Sequence, residues 1–116
     1  MIGHPKPVSR LVERTEKRAR VSRQRDETYR LVELRDGMRC RCCARRVVKT
    51  TALDRARLEH HHIRGRGRKD SETTANICVL CLECHEARHL TRTLTITGNA
   101  DSTLTFSREE RNPWYG

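Results

Sequence analysis

Two cysteine pairs, Cys40-Arg41-Cys42-Cys43 and Cys81-Leu82-Glu83-Cys84, constrain this chain more than any other feature. Each sets two thiols across a two-residue gap, the spacing with which one tight turn presents both sulfurs to a tetrahedral zinc ion. Cys78-Val79-Leu80-Cys81 repeats the gap, but Cys78 falls inside an expected strand, whereas Cys81 and Cys84 bracket an expected strand-to-helix turn. A lone buried free cysteine is common; two matched pairs by coincidence are not. A structural zinc site on Cys40, Cys43, Cys81 and Cys84 is therefore expected.

Composition explains why such a staple is needed. Leu, Ile, Val and Phe number 22 of 116 residues, and the net charge is +10, near the compositional border of disorder. A chain this short and this polar cannot stabilise itself by burial alone. Structural zinc contributes roughly 10–16 kcal/mol of apparent binding free energy that is also folding free energy. A whole small domain has a net stability of only about 5–15 kcal/mol. Zinc is thus expected to be a condition of folding.

Charge points to the partner. Lys and Arg total 25 against 15 acidic residues, and arginine predominates. An excess of the planar bidentate donor suits phosphate backbones, so nucleic acid is favoured over a basic surface that merely prevents association. The sequence has no long apolar run, which argues against a transmembrane helix and a secretory core. CxxC pairs beside histidines imply a reducing, cytoplasmic interior rather than a disulfide framework.

Along the chain, residues 1–23 read as a mobile basic arm that could become helical on nucleic acid, with Pro5 and Pro7 stopping any helix near the start. Residues 24–35 read as a helix through Tyr29, Leu31, Val32 and Leu34, ended by Gly37. Val47 and Val48 mark a short strand. Residues 57–63 form a strand that leads into Arg64-Gly65-Arg66-Gly67-Arg68-Lys69, a loop able to approach a phosphate closely. Residues 76–80 return as a strand, and residues 82–89 form a helix. Period-two alternation over residues 93–97 and 103–106 predicts a hairpin with one apolar face. The expected organisation is an arm at 1–23, a zinc-stabilised domain at 24–92, a hairpin extension at 93–107 and a polar tail at 108–116.

The second group of chemical residues is a row of imidazoles. His85 and His89 lie one helical turn apart and project from one face. A strand carrying His61 and His62 sends their rings to opposite faces, so only one can join the metal held by the helix pair. The other imidazole is then available as a general base. A second structural zinc site, or plain surface histidines, would explain any of these residues taken singly.

Together, Glu59-His60-His61-His62-Ile63, Asn76-Ile77 and Leu80-Cys81-Leu82-Glu83-Cys84-His85, with His89 a turn later, resemble the HNH endonuclease family. The segment from Arg35 to Cys40 is similar to the family's approach to its first cysteine pair. The likeness covers about residues 35–90, and is to the small bacterial and phage-borne members. It implies a small α+β fold: a ββα-metal, treble-clef-like finger on a four-cysteine zinc site, here with an N-terminal helix and a C-terminal β-hairpin. By position, it implies His62 as general base, His85 as the closing His, and Asn76 as the central Asn, which binds metal in some branches and fixes the loop that orients the base in others. Metal ligands would be His61, His85 and His89. The run of three histidines also permits a register with His60 and His61 as the pair, and the family's usual Pro after the isoleucine is absent.

The implied reaction is hydrolysis of a DNA phosphodiester. A divalent ion (Mg²⁺, Mn²⁺, Ni²⁺ or Zn²⁺) would offset phosphate charge, while Arg64, Arg66, Arg68 and Lys69 grip flanking phosphates. DNA is the expected partner, with no membrane and no small-molecule substrate; monomer and homodimer both remain open. Two rival classes are a noncatalytic zinc-stabilised nucleic-acid-binding module and a treble-clef protein-interaction module. The first leaves the histidines and Asn76 as coincidence; the second gains nothing from the charge.

A Cys40→Ser variant should lose folded protein rather than chemistry alone. Thermal unfolding at the wild-type midpoint would contradict a structural role for the cysteine cage.

Overall fold

The computed structural model describes residues 6–65 and 70–109, with side chains from residue 11 onward. Its elements are α1 (Lys6–Asp36), β1 (Leu58–His62), a 3-10 turn (Thr74–Asn76), β2 (Ile77–Cys81), α2 (Leu82–His89), β3 (Leu94–Gly98) and β4 (Leu104–Arg108). The architecture is the small α+β arrangement expected, with two helices and two antiparallel two-stranded sheets, β1-β2 and β3-β4. Arg66, Arg68 and Lys69 of the basic loop lie outside the described residues, as does the tail from residue 110.

One expectation needs correcting. The segment read as a mobile arm, helical only on nucleic acid, is helical from Lys6 without it, and α1 runs unbroken for 31 residues. Pro7 sits in the first turn, where its missing N–H would be unpaired anyway, so it starts the helix instead of stopping it. No Gly or Pro follows until Gly37, and Glu13–Lys17, Glu16–Arg20 and Asp26–Arg30 have the spacing of favourable i,i+4 pairs. The helix ends at Gly37, whose φ of +63° is the left-handed turn that glycine tolerates. Val47 and Val48 make no strand. Only isolated bridges occur there, Arg39 with Arg46 and Val48 with Arg57.

The apolar core is small and centres on β2, all five of whose residues are buried. Val32 of α1, Val47, Leu94, Ile96 and Ala100 pack around it. The hairpin contributes Leu94 and Ile96 from its apolar face, as the alternation predicts. At its turn, Gly98 has a φ of +112°, and a Cβ there would collide with the Thr103 carbonyl oxygen.

Polar crosslinks supplement this core. The Asp36 side chain, 1 % exposed, accepts from Arg35 Nε at 2.8 Å and Arg41 Nη1 at 2.7 Å. It also accepts the Val79 N–H of β2 at 2.9 Å. Arg35 continues outward to the carbonyls of Thr74 and Ile77, both at 2.6 Å, and to Asp101 at 2.8 Å. Arg41 reaches the Ala100 carbonyl at 2.9 Å. One carboxylate thus joins the end of α1, the first cysteine turn, β2 and the hairpin. Burial works to raise its pKa, but the hydrogen bonds from Arg35, Val79 and Arg41 outweigh burial and hold it below the ordinary carboxyl value.

Because the native pKa is lowered, this stabilisation is complete above the unfolded carboxyl pKa of about 3.9. It disappears as pH falls through the native value. Replacing Asp36 by Asn should cost about 3 kcal/mol near neutrality in urea unfolding. The gap between variant and wild type should close on acidification, and taking the difference cancels the acid sensitivity that both proteins share at the cysteines.

Candidate functional site

The turn after α1 presents Cys40 and Cys43, while Cys81 ends β2 and Cys84 lies in the first turn of α2. The two pairs are built alike: the Cys43 N–H points at Cys40 Sγ at 3.5 Å, and the Cys84 N–H at Cys81 Sγ at 3.4 Å. All four sulfurs lie within 4.8 Å of one another. Cys43 Sγ and Cys81 Sγ are 3.7 Å apart, close to the separation of about 3.8 Å that a tetrahedron of roughly 2.3 Å zinc–sulfur bonds requires. These residues fit a structural zinc ion and can hold one.

Ionisation supports the same fit. Burial pushes the Cys84 thiol up, and pushes Cys81 up to about 11. At Cys43 burial is outweighed by the Arg45 N–H and the neighbouring thiols, which lower its pKa. Thiols gathered this closely are held as thiolates when a dication compensates them. Arg108 of β4 adds a fixed cation, with Nη2 3.3 Å from both Cys42 and Cys84 sulfurs. Cys42 therefore borders the cage, and Cys78, pushed up to about 12 by burial, is a core residue of β2.

Pairing of β1 with β2 sets His60, His61 and His62 opposite Val79, Cys78 and Ile77. Alternation then divides the three histidines. His61 meets His85 and His89 of α2, with ring centroids 5.7 and 5.2 Å away, and the α2 pair are themselves 4.5 Å apart. One ring nitrogen from each of the three lies within 4.8 Å of the others. His61 is 2 % exposed, yet neither ring nitrogen has a hydrogen-bond partner. Buried polar atoms are rarely left so, and a metal ion would satisfy one of them. Burial, then His85, His89 and Arg88, push the His61 pKa down to about 3. Partial burial and Arg88 also lower His89. Neutral imidazoles are the ligand form, so this cluster fits a divalent ion.

His60 and His62 face α1. The His60 ring stacks on Tyr29 with centroids 4.0 Å apart, and its Nε2 lies 2.8 Å from Glu33. Glu33 also pairs with Lys49 at 2.6 Å; these two contacts outweigh burial and lower its pKa. The His62 Nε2 lies 3.0 Å from Glu72, and its ring meets the edge of Tyr29. A cleft of about 290 Å³ takes in Glu59, Gly65, the whole histidine run, His85 and His89.

Asn76 is buried and its amide is committed to the loop. Oδ1 accepts the Arg64 N–H at 2.9 Å, and Nδ2 donates to the Ser71 carbonyl at 3.0 Å. Its carbonyl accepts the Ile63 N–H at 2.8 Å. Arg64 is exposed at the mouth of this loop. Glu33, Lys49, Glu72 and Arg108 were not singled out by the sequence. Only Glu33 carried a signal, lying one helical turn after Tyr29.

Residues 40–91 match a protein family described as HNH endonuclease. No curated protein and no solved structure matches the chain with significance. Among the described residues, no helix is long and apolar enough to cross a membrane.

Cobalt(II) titration of metal-free protein should reveal two kinds of site. The intense thiolate charge-transfer absorption should vanish in Cys43→Ser. A weaker, later-filling spectrum should vanish in His89→Ala while the thiolate band persists; a single shared spectrum would refute the division.

Proposed function

Taking residues 40–91 as an HNH endonuclease segment, we propose that this protein is a metal-dependent DNA endonuclease acting through a histidine general base. The observation that carries this reading is the cluster of His61, His85 and His89 around two unpartnered ring nitrogens, in a cleft that His62 also lines. A zinc-stabilised module that only binds nucleic acid has no need for that cluster.

His61, His85 and His89 would hold the ion, which supplies charge neutralisation at the scissile phosphate and its leaving oxygen. His62, on the other face of β1, takes a proton from water aimed at phosphorus. The Glu72 carboxylate beside Nε2 orients the ring and leaves Nδ1 to face the water. Asn76 fixes the loop after β1 through Arg64 and Ser71, so its role is to position the base and not to ligate. Among the two registers of the histidine run, the facing of His61 toward α2 favours His61 and His62 as the working pair. Arg64, followed by Arg66, Arg68 and Lys69, grips phosphates on either side of the cut. Residues 24–92 form the nuclease unit in this reading, with the hairpin as its extension.

Purified protein should nick supercoiled plasmid with at least one of Mg²⁺, Mn²⁺, Ni²⁺ or Zn²⁺, and EDTA should stop it. His62→Ala should lower the rate by about 10²-fold or more while DNA retention and zinc content persist. Wild-type protein that retains plasmid but never nicks it would transfer the function to a noncatalytic nucleic-acid-binding module.

A further inference from the structure

The nuclease reading leaves the N-terminal two thirds of α1 without a task, and its side chains are not randomly placed. At about 100° per residue, Arg14, Arg18, Val21, Arg25 and Val32 fall within a sector of roughly 60°, and Lys17 borders it. Val32 is fully buried and Tyr29, beside it on the helix, stacks on His60. The face by which α1 packs on the protein body therefore continues past that body as a stripe of four cations. In residues 11–25 this sector holds no acidic side chain, while Glu16 and Glu27 fall on the opposite face with Arg20 and Arg23. Among the described residues, no ion pair engages Arg14, Lys17, Arg18 or Arg25. All four are exposed.

Resting on the nuclease reading, we infer that this stripe is a second docking surface for the DNA duplex whose phosphate enters the histidine cleft. Charge complementarity selects the occupant. A second copy of the chain would bring four like charges against four, with only Leu11 and Val21 to bury between them. A phosphate backbone neutralises the same side chains and releases counterions. The geometry suits one continuous ligand, because Tyr29 joins the stripe to the cleft-lining His60 and His62. From Tyr29 to Arg14 the helix rises about 22 Å. That is the length of six or seven base pairs at about 3.4 Å each. The body cuts, and the projecting helix sets how the duplex lies.

The test compares two charge-matched variants of the full chain, Arg14→Gln/Arg18→Gln on the stripe and Arg20→Gln/Arg23→Gln on the opposite face. Glutamine keeps the helix propensity of arginine nearly unchanged. Affinity for a duplex of about 24 base pairs is measured without added divalent ion at about 50 to 200 mM KCl. Loss of two phosphate contacts should lower the salt slope by about 1.8, so that the ratio of affinities at the two salt limits shrinks about twelvefold. The opposite-face variant should move the slope by less than half as much. Equal slopes for the two variants overturn the stripe, and so does a wild-type dimer in sedimentation that the stripe substitutions dissociate. If both variants bind alike while wild-type protein nicks plasmid, the stripe fails and the nuclease reading stands. Wild-type protein that neither binds nor nicks DNA defeats both.

Discussion

The pairing of His61 with Cys78 decides what each imidazole between His60 and His89 can touch. Strand side chains alternate, so a slip of one residue would turn His60 and His62 toward α2 and bury His61 against α1. Nothing in the composition of three consecutive histidines prevents that slip. The register is pinned from both ends. Asn76 ties the chain after β1 to the start of β2, accepting the Ile63 N–H, and Cys81 at the other end of β2 is committed to the cysteine cage.

Cage and carboxylate hub form one continuous clasp. Asp36 closes α1, Cys40 and Arg41 follow at once, and both Asp36 and Arg41 hydrogen-bond the backbone of Val79. Where a larger domain would use aliphatic layers, this one joins its elements through directional bonds whose partners must all be in place. Such links are sensitive to loss of any one member, because the remaining groups stay buried without compensation. Economy of apolar residues is thus matched by dependence on a few charges.

The cysteine set, both strands of the finger, α2 and the hairpin could all be read from spacing, since ligand gaps and two-residue alternation are local signals. The length of α1 could not. Residues 11–27 bury no face, so the apolar periodicity by which helices are recognised is absent there, and only the lack of Gly and Pro after Pro7 hinted at continuity. The partners of the histidine run were equally hidden. Glu33 meets His60 across 27 positions of sequence, and Arg108 meets Cys42 across 66. Contacts of that kind arise only when tertiary packing brings the segments together. The family resemblance supplied roles for the histidines but no account of Tyr29 or of the helix beyond it.

The dimensions of 69 × 36 × 29 Å, with a radius of gyration of 18.7 Å, reflect that helix projecting from the body; a compact chain of this length would have about 13 Å. Among its described side chains, only those of the last two turns, such as Val32 and Glu33, are buried. Turns without tertiary support open at little free-energy cost, since a solitary helix of this kind is marginal in water. The molecule accordingly has two cooperative units sharing one covalent rod. Amide protons between about Leu11 and Thr28 should therefore exchange by fraying, and those from there to Asp36 only when the clasp itself comes apart.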